Sequence, residues 1–346
     1  MPHSHHSHSG QFCRHAKDNL EDVVLEAIRQ GFEVYGLSEH APRYRVEDLF
    51  PEEADLTPSD LLQTYLEFLS TASSLKRKYA SQISLLISLE TDYITHLDLL
   101  HTTKLLSDHP EIDYIVGSVH HVNGISIDFS RSTFLRAVQA CVQGKEGRTM
   151  DPGPPPSLDL GDTTNRELQD GYMPIQEEMV VFLDRYFDQQ YKMIDQFEPE
   201  VIGHFDLCFL WTPAFSTSIK SIDKLWEKVE RNIKRVISYG GLFEANSASL
   251  RKGWETSYPS KQILNLIISL GGKICLSDDS HGVSYVGLNY TRMRDYLLSQ
   301  GVTEVWYLVS SAKDKQEYDE DIRNDRRRVF ARKMPDWEKH AFWADK

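Results

Sequence analysis

The sequence predicts an α/β barrel of alternating strands and helices, and three observations predict it. Short apolar runs rich in β-branched residues alternate with longer amphipathic stretches, the pattern of parallel βαβ units. Roughly seven such units fit the chain, one short of the commonest closed (β/α) barrel. Nearly every β-rich run ends in His, Asp or Glu, and in a parallel barrel those ends converge on one face. The 346 residues suffice for one large barrel or for two ordinary domains.

In chain order, a first short strand is expected over residues 3–7, ending in His6-Ser7-His8. A helix over 20–30 leads to a strand over 33–38 (EVYGLS), which runs into Glu39-His40. A helix over 59–79 precedes the run ISLLISLE, a strand over 83–90 that ends at Glu90. The strand over 113–119 (DYIVGSV) carries Ser118 and meets His120. Residues 144–173 break the rhythm with DPGPPP and DLGDTTN; such a Pro- and Gly-rich stretch reads as a surface insertion within one domain spanning 1–346. Beyond it come a helix over 177–196, a strand over 201–205 with His204 and then Asp206, and a helix over 222–239. A strand over 242–246 ends at Asn246, a helix spans 259–270, and a strand over 273–277 leads into Asp278-Asp279-Ser280-His281. The charged stretch 313–328 reads as a solvated helix or tail.

Composition narrows the function classes. A net charge of -14 argues against nucleic-acid binding, because phosphate backbones select basic surfaces. It leaves a small phosphorylated substrate open, since a local metal site overrides the global field. No apolar run reaches the roughly 20 residues of a membrane helix, and MPHSHHSHSG is no signal peptide. The scattered Cys13, Cys141, Cys208 and Cys275 lack metal-binding spacing and read as reduced thiols of a cytosolic protein, monomeric or a small homo-oligomer.

The strand-end histidines and carboxylates are metal-ligand types. A lone buried histidine is more often a hydrogen-bonded core residue, and a strand-end carboxylate is often a helix N-cap; the joint pattern is what points to metal. In a strand, residues i and i+2 share a face, so His6 and His8 can grip one ion from one side. His3-Ser4-His5 is a rival register, and the interrupted HSHHSH run also has the bland reading of an affinity tag. Asp279-x-His281 repeats the spacing, with Asp278 as the rival carboxylate. Mixed imidazole and carboxylate donors suit Zn, Mn or Fe, and the two oxygens of Glu90 suit it to bridging.

The segments HSHHSHSGQFCRHA, LSEHAPR, SLETDY, VGSVHHVNG, VIGHFD and LSDDSHG together resemble the PHP-type phosphoesterases, with the nearest likeness to fungal monofunctional histidinol phosphatases. VGSVHHVNGISIDF, the SLRKG segment with YPSK, and SDDSHG carry that nearer likeness, and only 144–173 falls outside it. The resemblance implies a distorted, TIM-like (β/α)7 barrel with three divalent ions at the mouth. It also implies hydrolysis of L-histidinol phosphate in histidine biosynthesis. The first ion would take His6, His8, Glu90 and Asp279, the second Glu90, His120 and His204, and the third His15, His40 and His281. Three departures stand out: Glu39 replaces a frequent Asp, the last motif reads SDDSH where GSDAH is commoner, and the gap from His8 to His15 is one residue longer than in some relatives.

Glu90, Asp279, His281 and Arg251 are the expected catalytic residues. Arg251 is the main phosphate clamp, because a guanidinium holds two phosphoryl oxygens at once; its bland reading is a solvated loop charge. Lys252, Arg43 and Ser118 are secondary phosphate contacts. Asp206, Asp128 and Asn246 are polar partners for the substrate amine and imidazole, and Tyr258 or Phe205 is a stacking platform. Rival readings are another PHP-type phosphoesterase, including a nuclease, and an amidohydrolase-type barrel. The latter usually needs a lysine at a middle strand end, and none ends the 83–90 or 113–119 runs.

Overall fold

The computed structural model describes residues 1–143, 173–310 and 329–345. The expected insertion, up to residue 172, and the expected helix or tail over 313–328 lie outside the described residues.

Seven parallel strands form a nearly closed barrel. They are β1 (His3–Ser4), β2 (Val34–His40), β3 (Ser84–Glu90), β4 (Tyr114–Gly117), β5 (Val201–Ile202), β6 (Leu242–Asn246) and β7 (Lys273–Ser277), and their spatial order is their chain order. The connecting helices are α1 (Leu20–Arg29), α2 (Pro58–Lys78), α3 (His96–Asp108), α4 (Arg131–Val142), α5 (Gln176–Phe197), α6 (Asp223–Tyr239) and α7 (Lys261–Ser269), with α8 (Tyr290–Ser299) following β7. Consecutive strands therefore pair only because a helix carries the chain back each time, the connection a parallel sheet requires.

The helices form for local reasons. In α1, Leu20, Val23, Val24 and Ala27 lie on one buried face, with Glu21 and Asp22 in the first turn and Arg29 in the last, each charge opposing the local helix dipole. Pro58 opens α2 behind Thr57, whose hydroxyl accepts from Asp60 N, a capping box. Met179, Phe182, Leu183, Tyr186, Phe187, Met193, Ile194 and Phe197 seat α5 on the barrel. At the end of α6, Gly240 takes the left-handed conformation at φ 83°, where a side chain would be strained.

The first strand differs from expectation. It breaks after Ser4, and Ser7–His8 pairs instead with Ser280–His281 in a separate parallel two-stranded sheet. The break lets one short segment serve both the barrel and its mouth. His5 N donates to Leu276 O at 3.3 Å, and Leu276 N donates to the His3 ring at 2.9 Å; these bonds close the seam between β1 and β7. The His5 ring accepts from Leu308 N, which ties down the antiparallel strand pair Trp306–Val309 and Phe330–Lys333. Burial pushes the His5 imidazole down to about 3, so it stays a neutral acceptor. The His3-x-His5 register is thus the structural one. His6 and His8 are left for the mouth.

β5 is also shorter than expected. After Ile202 the chain passes Gly203, where a Cβ would collide with Ser118 Oγ and stand 2.9 Å from Val116. The longest pairing, β2 with β3, sets His40 directly beside Glu90, and β6 with β7 sets Asn246 beside Ser277. No helix among the described residues is long and apolar enough to cross a membrane.

Candidate metal centre

At the C-terminal mouth of the barrel, one fully buried carboxylate collects five imidazoles. Glu90 ends β3; its Oε1 lies 3.2 Å from His6 Nε2, 3.0 Å from His120 Nε2 and 3.1 Å from His204 Nε2. Its Oε2 lies 3.3 Å from His8 Nε2 and 3.0 Å from His40 Nδ1. Asp279 Oδ1 approaches His6 Nε2 at 3.7 Å, His8 Nε2 at 3.8 Å and His281 Nδ1 at 3.5 Å. Burial opposes the charge on Glu90, but the surrounding histidines, His6, His120 and His40 foremost, hold its carboxyl well below the usual range.

The ring orientations test whether a cation fits. His6 Nδ1 is 3.1 Å from Glu244 Oε2, and His8 Nδ1 is 3.3 Å from Glu39 Oε2. A carboxylate at Nδ1 fixes the proton there and leaves a lone pair on Nε2. Yet the two Nε2 atoms are only 3.1 Å apart, and both face Glu90. Lone pairs converging on a carboxylate repel one another unless a cation lies among them. Without one, a proton must serve: burial disfavours the imidazolium, but Glu39 and Glu90 together raise His8 to about 9. The donor set therefore fits divalent metal, and groups of three donors within mutual reach recur across it.

The nine expected ligands are all drawn to this mouth, in groupings that differ in part from expectation. His6, His8 and Glu90 form one group, and His6, His204 and Asp279 another. His40 joins Glu90 and His120 in a third, His8 and His281 in a fourth, and Cys13 and His15 in a fifth. Cys13, read from spacing as a bystander, thus stands beside the ligands, its sulfur 3.1 Å from His15 Nε2. Asp279 rather than Asp278 faces the centre. Asp278 is held by Ser4 Oγ at 2.8 Å, Tyr35 OH at 3.1 Å and Gly287 N at 2.8 Å.

Carboxylates behind the ligands supply orientation. Glu39 also accepts from Ser9 N and Ser9 Oγ, each at 3.0 Å, so the Glu at this position braces His8 and its loop. Glu244, which sequence reasoning missed, braces His6 and accepts from His204 N at 2.5 Å. Its signal was available: a Glu inside the fully buried run LFEAN demands partners. Asp128 lies 3.0 Å from His120 Nδ1, which makes it a brace for that ring although it also lines the cleft.

The cleft above the centre has a volume of about 510 Å3 and reaches Arg14, Lys17, Phe50, Glu52, Asp92, Phe129, Arg251, Lys252 and Tyr285. The Arg251 guanidinium rests 4.4 Å from the Tyr285 ring centroid, a cation–π contact that keeps it over the cleft. Five residues expected to bind substrate lie off its walls. Arg43 is buried in ion pairs with Glu53 and with Asp92. Ser118 packs against Gly203, and its backbone N donates to Thr91 Oγ1. Asn246 spends its amide on Glu244 and Asp279 and its oxygen on Ala248 N. Tyr258 is fully buried, bridged to Asn246 through its backbone. The alternative platform, Phe205, is also in the core. Asp206 accepts from Ser260 N at 2.7 Å. Strand-end position does not separate side chains that face the axis from those that face the next layer.

Burial raises Asp206 from 3.8 to about 6 against the Ser260 hydrogen bonds. The folded state thus keeps a proton that the unfolded chain has lost, so stability falls as pH rises through that window and stays lower above it. Asp206→Asn should raise stability near neutral pH by at most about 3 kcal/mol and change nothing below about pH 4. Urea denaturation at the two pH values checks this, and equal gains at both would remove the titration from the account.

Comparison with known proteins gives a consistent picture. The PHP domain family model matches residues 4–248. The chain is 43% identical over 306 residues to the "Probable histidinol-phosphatase" of Schizosaccharomyces pombe, covering 88% of this chain and 89% of that one. It is 30% identical over 328 residues to the histidinol-phosphatase of Saccharomyces cerevisiae, covering 86% and 88%. Among solved structures, a "putative histidinol phosphatase" of Listeria monocytogenes aligns with a TM-score of 0.62 at 24% identity, over 84% of this chain and 98% of that one. A histidinol phosphate phosphatase of Lactococcus lactis, complexed with zinc, L-histidinol and phosphate, aligns with a TM-score of 0.53 at 17% identity, over 88% and 95%. At those identities the two structures speak to the fold alone.

Proposed function

The chain belongs to the PHP family, alongside the fungal histidinol-phosphatases, and from that premise we propose that it hydrolyses L-histidinol phosphate to L-histidinol and phosphate in a metal-dependent reaction. One observation carries the chemistry: ring nitrogens of His6, His8, His40, His120 and His204 and the carboxylates of Glu90 and Asp279 converge at the floor of a cleft whose rim carries cations.

The residues that would hold the ions are His6, His8, His15, His40, Glu90, His120, His204, Asp279 and His281. Three divalent ions fit this many donors, with Zn, Mn and Fe all compatible with the ligand types. Bound there, they would neutralise charge on the phosphoryl oxygens and lower the pKa of water. The protein's own contribution is placement. Glu39, Glu244 and Asp128 fix the ring tautomers, so the donors are aligned before substrate arrives. Arg251 and Lys252 stand over the floor as the phosphate clamp, and Arg14 and Lys17 add positive charge at the rim. Four buried, unpaired cysteines and a net charge of -14 fit a small-molecule enzyme of the cytosol.

The substrate's imidazole needs a flat apolar partner. Phe129 is 42% exposed, unusual for an aromatic ring, and lines the cleft. It stacks on Phe50 at 5.4 Å between centroids and 10° between planes, which leaves its other face for a ligand ring. Phe129→Ala should raise KM for histidinol phosphate roughly three- to tenfold with kcat nearly unchanged, and leave a simple alkyl phosphate unaffected. Steady-state kinetics on both substrates is the test; equal losses on the two would place Phe129 outside ring recognition. The same comparison tests the substrate assignment, which requires histidinol phosphate to be preferred over the alkyl ester by wild type.

A further inference from the structure

We propose that the outermost ion of the centre is held through sulfur, with Cys13, His15 and His40 forming a soft Cys-His-His donor set. The Cys13 sulfur, a ring nitrogen of His15 and a ring nitrogen of His40 lie within 4.8 Å of one another. The inference rests on the metal centre of the proposed function, not on its substrate.

The local chain builds this set. Phe12 N and Cys13 N both donate to Ser9 O, and Ala16 N donates to Cys13 O. These turns bury the Cys13 side chain while His15 stays at the rim. Glu52 Oε1 lies 3.4 Å from His15 Nδ1, so His15 Nε2 is the nitrogen turned to the sulfur, 3.1 Å away. This repeats the carboxylate brace found behind His6, His8 and His120. His40 Nε2 is buried and has no hydrogen-bond partner among the described residues.

The spacing suits a shared ion. An ion about 2.3 Å from sulfur and about 2.1 Å from nitrogen, bound tetrahedrally, separates those donors by roughly 3.5 Å. The pair has only to open by a few tenths of an ångström. Three protein donors leave one position open, the pattern of a site that also takes water or a substrate oxygen. His281, assigned to this ion by resemblance, groups instead with His8 and His40. Binding replaces the thiol proton with the ion and releases that proton to solvent. Sulfur also changes selectivity, because thiolate favours zinc over manganese or magnesium.

The competing account is a plain S–H···N hydrogen bond between Cys13 and His15. Replacing the bound metal of the full-length protein with Co2+ separates the two. A thiolate ligand gives a sulfur-to-cobalt charge-transfer band in the near ultraviolet, and Cys141, Cys208 and Cys275 belong to none of the donor groups. The expected result is such a band in wild type, lost in Cys13→Ser, with one Zn2+ bound at least about tenfold more weakly in the variant by equilibrium dialysis. Full Co2+ binding without the band, or a band that survives in Cys13→Ser, overturns the proposal while leaving the enzyme reading intact. Failure to bind any Co2+ would overturn the metal centre itself. If Cys13→Ser does not fold, the wild-type spectrum alone decides.

Discussion

Glu90→Gln should cost at least about a hundredfold in turnover and lose bound metal. The side chain is fully buried, and His6, His8, His40, His120 and His204 each place a ring nitrogen 3.0 to 3.3 Å from its oxygens. It is the one negative group shared by all of them. An amide of the same size keeps the volume but supplies no charge, and its NH2 would donate to ring lone pairs that an ion needs. The imidazoles would then lack the anion that draws a divalent cation among them. Metal analysis of the purified variant, alongside kinetics and circular dichroism, is the check. A folded Glu90→Gln with a full metal complement and near-normal turnover would show that the buried carboxylate is a packing feature.

Arg251→Ala should lower kcat/KM about a hundredfold without changing metal content. A bidentate guanidinium–phosphate contact comprises two charge-assisted hydrogen bonds, each worth roughly 1.5–3 kcal/mol, and part of that is regained by water and by the neighbouring Lys252. The side chain lines the cleft and rests on Tyr285, so truncation leaves the floor of the site intact. Arg251→Lys should recover only part of the loss, because an ammonium cannot reproduce the planar fork. Unchanged kinetics in Arg251→Ala would return this residue to the class of solvated loop charges and pass the clamp to Lys252 or the rim.

How far the site was legible in the sequence follows from where each signal resides. Strand ends are local: β-rich runs closed by His40, Glu90, His120 or His281 can be read directly, and barrel geometry then brings them together. The seven strands and most of their helices follow from period and capping, as with Thr57 and Pro58 at the start of α2. What failed was direction. Asn246, Ser118 and Asp206 sit at or near strand ends, but their side chains turn to Glu244, Gly203 and Ser260. No one-dimensional pattern shows which layer a residue faces after a strand has bent. Arg43 carried the right charge for phosphate, but its buried partners Glu53 and Asp92 come from other loops. Cys13 looked isolated because its donors, His15 and His40, belong to a turn and to the end of another strand. The break in the first strand was hidden because HSHHSH offers two equivalent registers; only the seam to Leu276 and Leu308 separates His3 and His5 from His6 and His8.

The central claim is that this barrel mouth is a metal centre for one phosphate monoester, and phosphate release tests it most directly. Purified protein is assayed on L-histidinol phosphate and on a set of other phosphate monoesters, before and after chelation, and again after Zn2+ or Mn2+ is restored. The account predicts rapid release from histidinol phosphate, slow release from the rest, loss on chelation and recovery with metal. Release that is indifferent to the chelator, or no release from histidinol phosphate in the reloaded protein, would contradict it.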